Sequence, residues 1–315
     1  MSDDLYFAVS ITAPIFCIIG SGLLFRKIGW LDEAFARMGS KLVFNVSLPC
    51  LLFVKLVETD FRHELPFVLI GYAAVMTVGA FWLLERFAGQ WLENPFDRGA
   101  FVQGAFRGNM GIVGLAFCIG AFGDSVIAVA SIYLAVLTPL YNVLAVITLS
   151  RHQPAALEGG VGRGILLAIV KNPLILSILA GVLVSVSAIR VPGILLESGG
   201  YLARMALPLA LICAGASIRP QEFGASRALY LATVNKLLVI PLVLTLGGLV
   251  IGLRGEALGV LYLMSSAPTA AASFPMTQAM GGNYHLAAAI IAATSLGAIL
   301  STTCGLFMLR VLGLV

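Results

Sequence analysis

The sequence predicts an all-α polytopic membrane protein of ten transmembrane helices. These form two inverted halves of five, with the fourth and ninth helices broken and crossing. Three observations predict it: a composition too apolar for a soluble domain, apolar stretches that recur at bilayer-spanning length, and a repeat at one fixed offset. Of 315 residues, 60% are hydrophobic and 11% charged, against roughly 25% charged in soluble domains. Stretches of about 20 apolar residues are long enough to cross a bilayer as helix.

Along the chain the spans are expected near 5–25, 36–55, 65–85, 99–122 and 125–149. Five more follow near 165–187, 196–218, 227–252, 257–280 and 285–310. The start, MSDDLYFAVS, has two aspartates and no basic n-region, so the first span is expected to be retained rather than cleaved as a signal peptide. A polar link, SRHQPAALEGGVGRG, occupies 150–164 and divides the chain into a first half, 1–149, and a second, 165–315. An offset of 159 residues carries Pro14 onto Pro173, Gly22 onto Gly181, Leu48-Pro49 onto Leu207-Pro208 and Gly123 onto Gly282. Five spans per half is odd, so the second half enters the membrane from the opposite side. Such inverted repeats are a signature of secondary transporters.

With the N-terminus outside, ten lysines and arginines fall on inner loops and five on outer segments. The positive-inside bias therefore places both termini outside, in a multi-pass protein of the cell (inner or plasma) membrane. The net charge of +4 thus bears on orientation, and nucleic acid is not expected as a partner. The five cysteines fall in separate apolar stretches without CxxC spacing. They read as small buried apolar residues, with no metal and no other cofactor expected.

Two spans are not continuous helix formers. The fourth holds FRGNMGIVG, 106–114, and the ninth SSAPTAAASFP, 265–275. The offset lays Arg107, Gly108, Asn109 and Met110 onto Ser266, Ala267, Pro268 and Thr269. Glycine admits backbone angles a helix does not use, and proline removes a donor and clashes with the preceding turn. Unwound backbone survives at membrane depth only where it lines a cavity or is buried in protein. Two such breaks brought together would aim free N–H groups and positive dipole ends at one point, which favours an anion. Alternatively, the glycines serve close packing and Pro268 is a kink.

Four cations lie within spans: Arg107, Lys171, Arg204 and Lys236; no acidic residue sits comparably deep. Lys171, Arg204 and Lys236 lie where a long stem can snorkel to an interface. Arg107 adjoins the break, and its fork suits a carboxylate or free carbonyls. Asn109 can hold a carboxylate oxygen without adding charge.

FRGNMGIVGLAF, VKNPLILSILAGVLV, ALPLALICAGASI and SSAPTAAASFPMTQAMGGN resemble the auxin efflux carrier family, over essentially all ten spans. That family includes the plant PIN carriers and bacterial relatives assigned to malonate or malate transport. The chain is similar, more distantly, to the sodium-coupled bile acid transporter fold. The resemblance implies a scaffold of spans 1, 2, 6 and 7, often dimerising, and a transport domain of spans 3–5 and 8–10. It further implies an elevator-like motion, with Asn109 as the crossover asparagine and Pro268 as the second crossover's proline. The substrate-binding set is then Asn109, Arg107, Gly108, Met110, Pro268, Thr269 and Ser266. Tyr133 of the fifth span and Thr294 of the tenth are candidates for the remaining polar lining. The long hydrophilic loop of the larger plant members is absent.

The expected function is secondary or facilitative transport of a small organic anion, a mono- or dicarboxylate or an auxin-like acid. A sodium-coupled symporter and a non-transporting membrane sensor are the alternatives. Coupling to protons, to sodium or to membrane potential stays open. An intramembrane enzyme would need converging nucleophile, base or metal ligands, and His63, His152 and His285 all fall in loops or at span ends. No GxxxxGK[ST] stretch occurs, which excludes a chain-borne ATP site of that kind.

Overall fold

The computed structural model describes residues 2–57, 66–152, 173–187, 191–217 and 226–315. The expected link at 150–164 lies outside them beyond His152, as does Lys171. The described chain is helical almost throughout, and each of the ten apolar stretches is helix over most of its described residues. Among the described residues, seven helical runs are long and apolar enough to cross a membrane.

Helix α1 covers Ser2–Lys27, α2 Glu33–Leu42 and α3 Leu48–Val57. A wide π-helical turn, Val43–Ser47, joins α2 to α3. Helix α4 is Phe67–Trp91, α5 Pro95–Phe106, α6 Leu115–Phe122 and α7 Ile127–His152. In the second half α8 is Pro173–Val186, α9 Gly193–Arg204 and α10 Ala206–Ser217. Helix α11, Arg227–Val234, runs through a π turn at Asn235–Val239 into α12, Ile240–Val250. Helices α13, Gly255–Ser266, α14, Ser273–Ala279, and α15, Tyr284–Val311, complete it.

Three distortions share one cause. A proline ring collides with the carbonyl four residues back and leaves it without a donor. Pro49, Pro208 and Pro241 stand four residues after Asn45, Arg204 and Leu237. Asn45 and Leu237 lie inside π turns, and Arg204 ends α9 before the break at Met205. At the first of these, Asn45 Nδ2 donates to Lys41 O at 2.7 Å.

Packing is set by small residues where helices cross. Helix α1 lies against α10 so closely that a Cβ on Gly22 would sit 2.1 Å from Ile212 O, and one on Gly215 1.8 Å from Ile19 O. Helix α8 lies against α3, with Gly181 facing Phe53 and Leu56. Elsewhere α5 is wrapped by α4, α7, α11 and α15, and α13 packs on α6 and α12. Every residue of α5 from Gly99 to Phe106 is buried.

Helix α4 shows the logic of a membrane-facing element. Leu69, Ala73, Thr77, Phe81, Leu84 and Ala88 recur at helical spacing and are buried, whereas Phe67, Val75, Val78 and Trp82 are exposed. An apolar outer face is what hydrocarbon solvates. The cysteine expectation needs correcting on this ground. Cys118 and Cys213 are buried, but Cys17 and Cys304 are exposed, because lipid accepts a weakly polar thiol as readily as the core does.

Candidate functional site

Helix α5 begins under a cap: Asn94 Oδ1 accepts from Phe96 N at 3.1 Å, and Pro95 opens the first turn. It ends at Phe106, and Arg107 turns extended at φ −81°, ψ 104°. Across from it, α13 ends at Ser266, and Ala267 goes extended at φ −54°, ψ 136°. The proline that follows disfavours helical angles at Ala267.

The two extended pieces meet antiparallel. Asn109 N donates to Pro268 O at 2.7 Å, and Ala270 N donates to Arg107 O at 3.1 Å. Gly108 thereby stands opposite Thr269 as an isolated β-bridge. Each break supplies partners for the backbone groups that the other break leaves open, so neither is paid for with buried orphan groups. Past the bridge the chain re-enters helix through a π turn, Met110–Gly114, with Val113 N and Gly114 N donating to Asn109 O.

Several expected binding residues turn out to hold this crossing together. Thr269 N donates to Thr294 Oγ1 at 3.1 Å, and Thr269 Oγ1 donates to Gly104 O at 2.7 Å. Thr294 Oγ1 in turn donates to Ile290 O at 2.7 Å. Ser266 Oγ donates to Leu263 O at 3.2 Å. These three hydroxyls are buried and spent on backbone. Gly108, Met110 and Pro268 are buried as well. Tyr133 is buried in the core of α7, and no hydrogen bond ties it to the crossing among the described residues.

Asn109 differs from them. It is half-buried, and its side chain caps no helix and makes no hydrogen bond among the described residues. Ala271 and Ala272 across the bridge are exposed, so the crossing opens to its surroundings there.

Two cations adjoin the bridge from different sides. Arg107 NH2 donates to Asn142 Oδ1 at 2.5 Å and Arg107 NH1 to Met276 Sδ at 3.0 Å. Lys236 does not snorkel. It is fully buried, and its Nζ donates to Ser265 O at 2.9 Å. The reason lies in the break: Thr269 N, which a continuous helix would give to Ser265 O, goes to Thr294 instead. Lysine takes the freed carbonyl, as cations do at helix C-termini. Its Nζ also lies 2.9 Å from where a Cβ on Gly108 would be. Arg204, by contrast, is exposed, with its guanidinium 5.7 Å from the Tyr201 ring centroid.

No carboxylate among the described residues pairs with Arg107 or Lys236. The buried carboxylate, Glu85, sits towards the end of α4, accepting a hydrogen bond from Thr148 Oγ1 and facing His152 Nε2 at 3.2 Å and Arg151 NH1 at 3.7 Å. Arg107 and Lys236 thus stand buried at the crossing without a carboxylate partner among the described residues, and ionisable side chains at such depth mark a functional site by default. Sequence reasoning missed Gln103 and Met276, which touch each other and, through Met276, Arg107. Gln103 sits about two turns into an apolar-looking helix, and only its place on the face shared with Arg107, four residues on, could have marked it.

Comparison with known proteins follows the same line. A family model described as "Membrane transport protein" matches residues 7–159 and 160–305. An uncharacterized transporter of Methanocaldococcus jannaschii is 25% identical over 282 residues, covering 86% of this chain and 87% of that one. The uncharacterized transporter YfdV of Escherichia coli is 26% identical over 276 residues, covering 84% and 86%. A protein of Rhizobium meliloti named "Putative malonate transporter" is 28% identical over 310 residues, covering 94% of each. With helices fit to span a bilayer and nearly the whole chain matched, this protein belongs to the membrane transport protein family, that of the auxin efflux carriers.

Proposed function

We propose that the chain is a secondary or facilitative transporter of small organic anions. It works by alternating access around the crossing of residues 107–110 with 266–270. The observation that carries this is the pair of matched helix breaks, joined backbone to backbone beside an unpartnered Asn109 and two buried cations. Asn109 receives a carboxylate oxygen, and Arg107 and Lys236 set the sign of charge the site accepts.

Ten spans in two inverted repeats complete the reading. The bridge register supports it: Asn109 and Pro268, mates at the 159-residue offset, are also opposite each other in the antiparallel pair. A twofold axis through the crossing requires that coincidence. The glycine crossings support it too, since Gly22 on Ile212 and Gly181 on Phe53 are one contact under the same offset. The family model divides at residues 159 and 160, inside the expected link. Helices α1–α3 and α8–α10 then form the scaffold, and α4–α7 and α11–α15 the moving domain, in an elevator-type exchange. The packing of α1 on α10 and of α3 on α8 and α9 supports that division. The scaffold is where a homodimer contact belongs, and the charge bias puts both termini outside the cell membrane.

The test is uptake of radiolabelled organic acids into proteoliposomes, with malonate first because a relative carries that name, then malate and indole-3-acetate. Asn109→Ala is expected to lower uptake about tenfold or more, the worth of one hydrogen bond to a charged group. Full uptake by that variant would remove Asn109 from the site. Uptake with and without a sodium gradient, a proton gradient and an imposed voltage separates the coupling modes.

A further inference from the structure

Arg107 and Gln103 are both at least nine-tenths buried, at 7% and 0% exposure, and both are strong hydrogen-bond donors. Each spends a donor on the same atom, the thioether of Met276: Arg107 NH1 at 3.0 Å and Gln103 Nε2 at 3.4 Å. A thioether is among the weakest acceptors in a protein. Each group is also held by a second partner. Asn142 Oδ1 fixes the other arm of the guanidinium at 2.5 Å. Thr277 Oγ1, shared with Ser273 O, sits 2.8 Å from Gln103 Oε1 and turns the carboxamide nitrogen towards Met276. Two fixed donors thus converge on a volume filled by a poor partner.

From this geometry we infer that Arg107 and Gln103 form a carboxylate subsite beside the crossing, and that the Met276 side chain occupies it when no substrate is bound. A carboxylate replaces one weak contact with charge-assisted hydrogen bonds from both donors, which are far stronger than N–H···S contacts. Met276 is suited to leave: it is half-buried, unbranched and turns about three bonds. It rides on α14, the short helix after the second break, so its departure links anion capture to the segment that also carries Thr269 and Ala270. The inference rests on the organic-anion reading above and assigns the second contact of that substrate, with Asn109 as the first.

The experiment uses the full-length protein, labelled at the nine methionine methyl groups and reconstituted in nanodiscs. The Met276 signal is assigned through Met276→Leu, and malonate, malate or indole-3-acetate is added. The expected result is a shift of the Met276 methyl signal with the acid that proteoliposomes take up. Gln103→Leu should weaken binding of that acid about tenfold or more. Met276→Ala should tighten it several-fold, since the competent state no longer waits on side-chain departure. In the Gln103→Leu background the Met276→Ala gain should shrink, because the donors it exposes are halved. An unmoved Met276 signal in protein that still transports the acid overturns the subsite and leaves the transport reading standing. Failure of all three acids to be transported removes the transport reading, and the subsite with it.

Discussion

The crossing of α1 and α10 gives the sharpest test of the packing. On Gly215 a Cβ would lie 1.8 Å from Ile19 O, and on Gly22 2.1 Å from Ile212 O. Ordinary carbon–oxygen contact begins near about 3.4 Å, so Gly215→Ala forces the helices apart by roughly 1.6 Å. Both obstacles are backbone, which cannot swing aside as a side chain can. A gap of 0.5–1 Å already forfeits about a quarter to a half of each contact's attraction, and overpacking alone costs about 1–3 kcal/mol. We expect Gly215→Ala to cost about 3 kcal/mol and lower the unfolding midpoint by roughly 4–5 °C, and Gly22→Ala to do nearly the same. Gly181→Ala meets Leu56 Cβ at 2.8 Å and should cost less. Gly20 is the internal control, on α1 two residues before Gly22 and with nothing within 4 Å; there alanine should be neutral or stabilising by up to about 1 kcal/mol. Thermal unfolding of the four purified variants in one detergent ranks them. If Gly215→Ala melts together with Gly20→Ala, the two helices are not in backbone contact and the argument fails.

Other outcomes follow from the crossing itself. Thr294→Val keeps the shape but leaves Thr269 N unpaired in a buried place, at about 1–3 kcal/mol, visible as a lower unfolding midpoint. Lys236→Met should abolish most uptake and lower the midpoint only slightly, because the relief of removing a buried charge is opposed by Ser265 O losing its donor, at about 1–3 kcal/mol; undiminished uptake would separate Lys236 from the anion. Arg107→Lys should lower uptake about tenfold, since a point charge cannot serve Asn142 and the Met276 position together as the fork does.

The crossing was legible because helix-breaking residues act locally: glycines in FRGNMGIVG and Pro268 mark unwinding wherever they occur. What they could not convey was the partner. That Asn109 N would reach Pro268 O, or that the Thr269 and Thr294 hydroxyls would hydrogen-bond to the backbone at the bridge, depends on which faces meet. Lys236 shows the same limit. Its depth in the span was readable, but a lysine stem can run towards the interface or towards a carbonyl, and the freed acceptor at Ser265 exists only once α13 has ended. The π turns at Val43–Ser47 and Asn235–Val239 were written in Pro49 and Pro241, four residues past each distorted carbonyl, although proline alone leaves open whether a helix kinks, widens or stops.

The bridge between Gly108 and Thr269 also bears on how the protein is made. Its two partners stand about half the chain apart, so during synthesis Arg107 and the open backbone at Gly108 enter the bilayer long before Pro268 and Ala270 exist. Until then the first break has no partner for its carbonyl and amide groups, and hydrocarbon offers none. The first half must therefore wait in the membrane with an unsealed helix, sheltered by neighbours or by the insertion machinery. Assembly is completed late, when α13 and the segment after it arrive and close the pair.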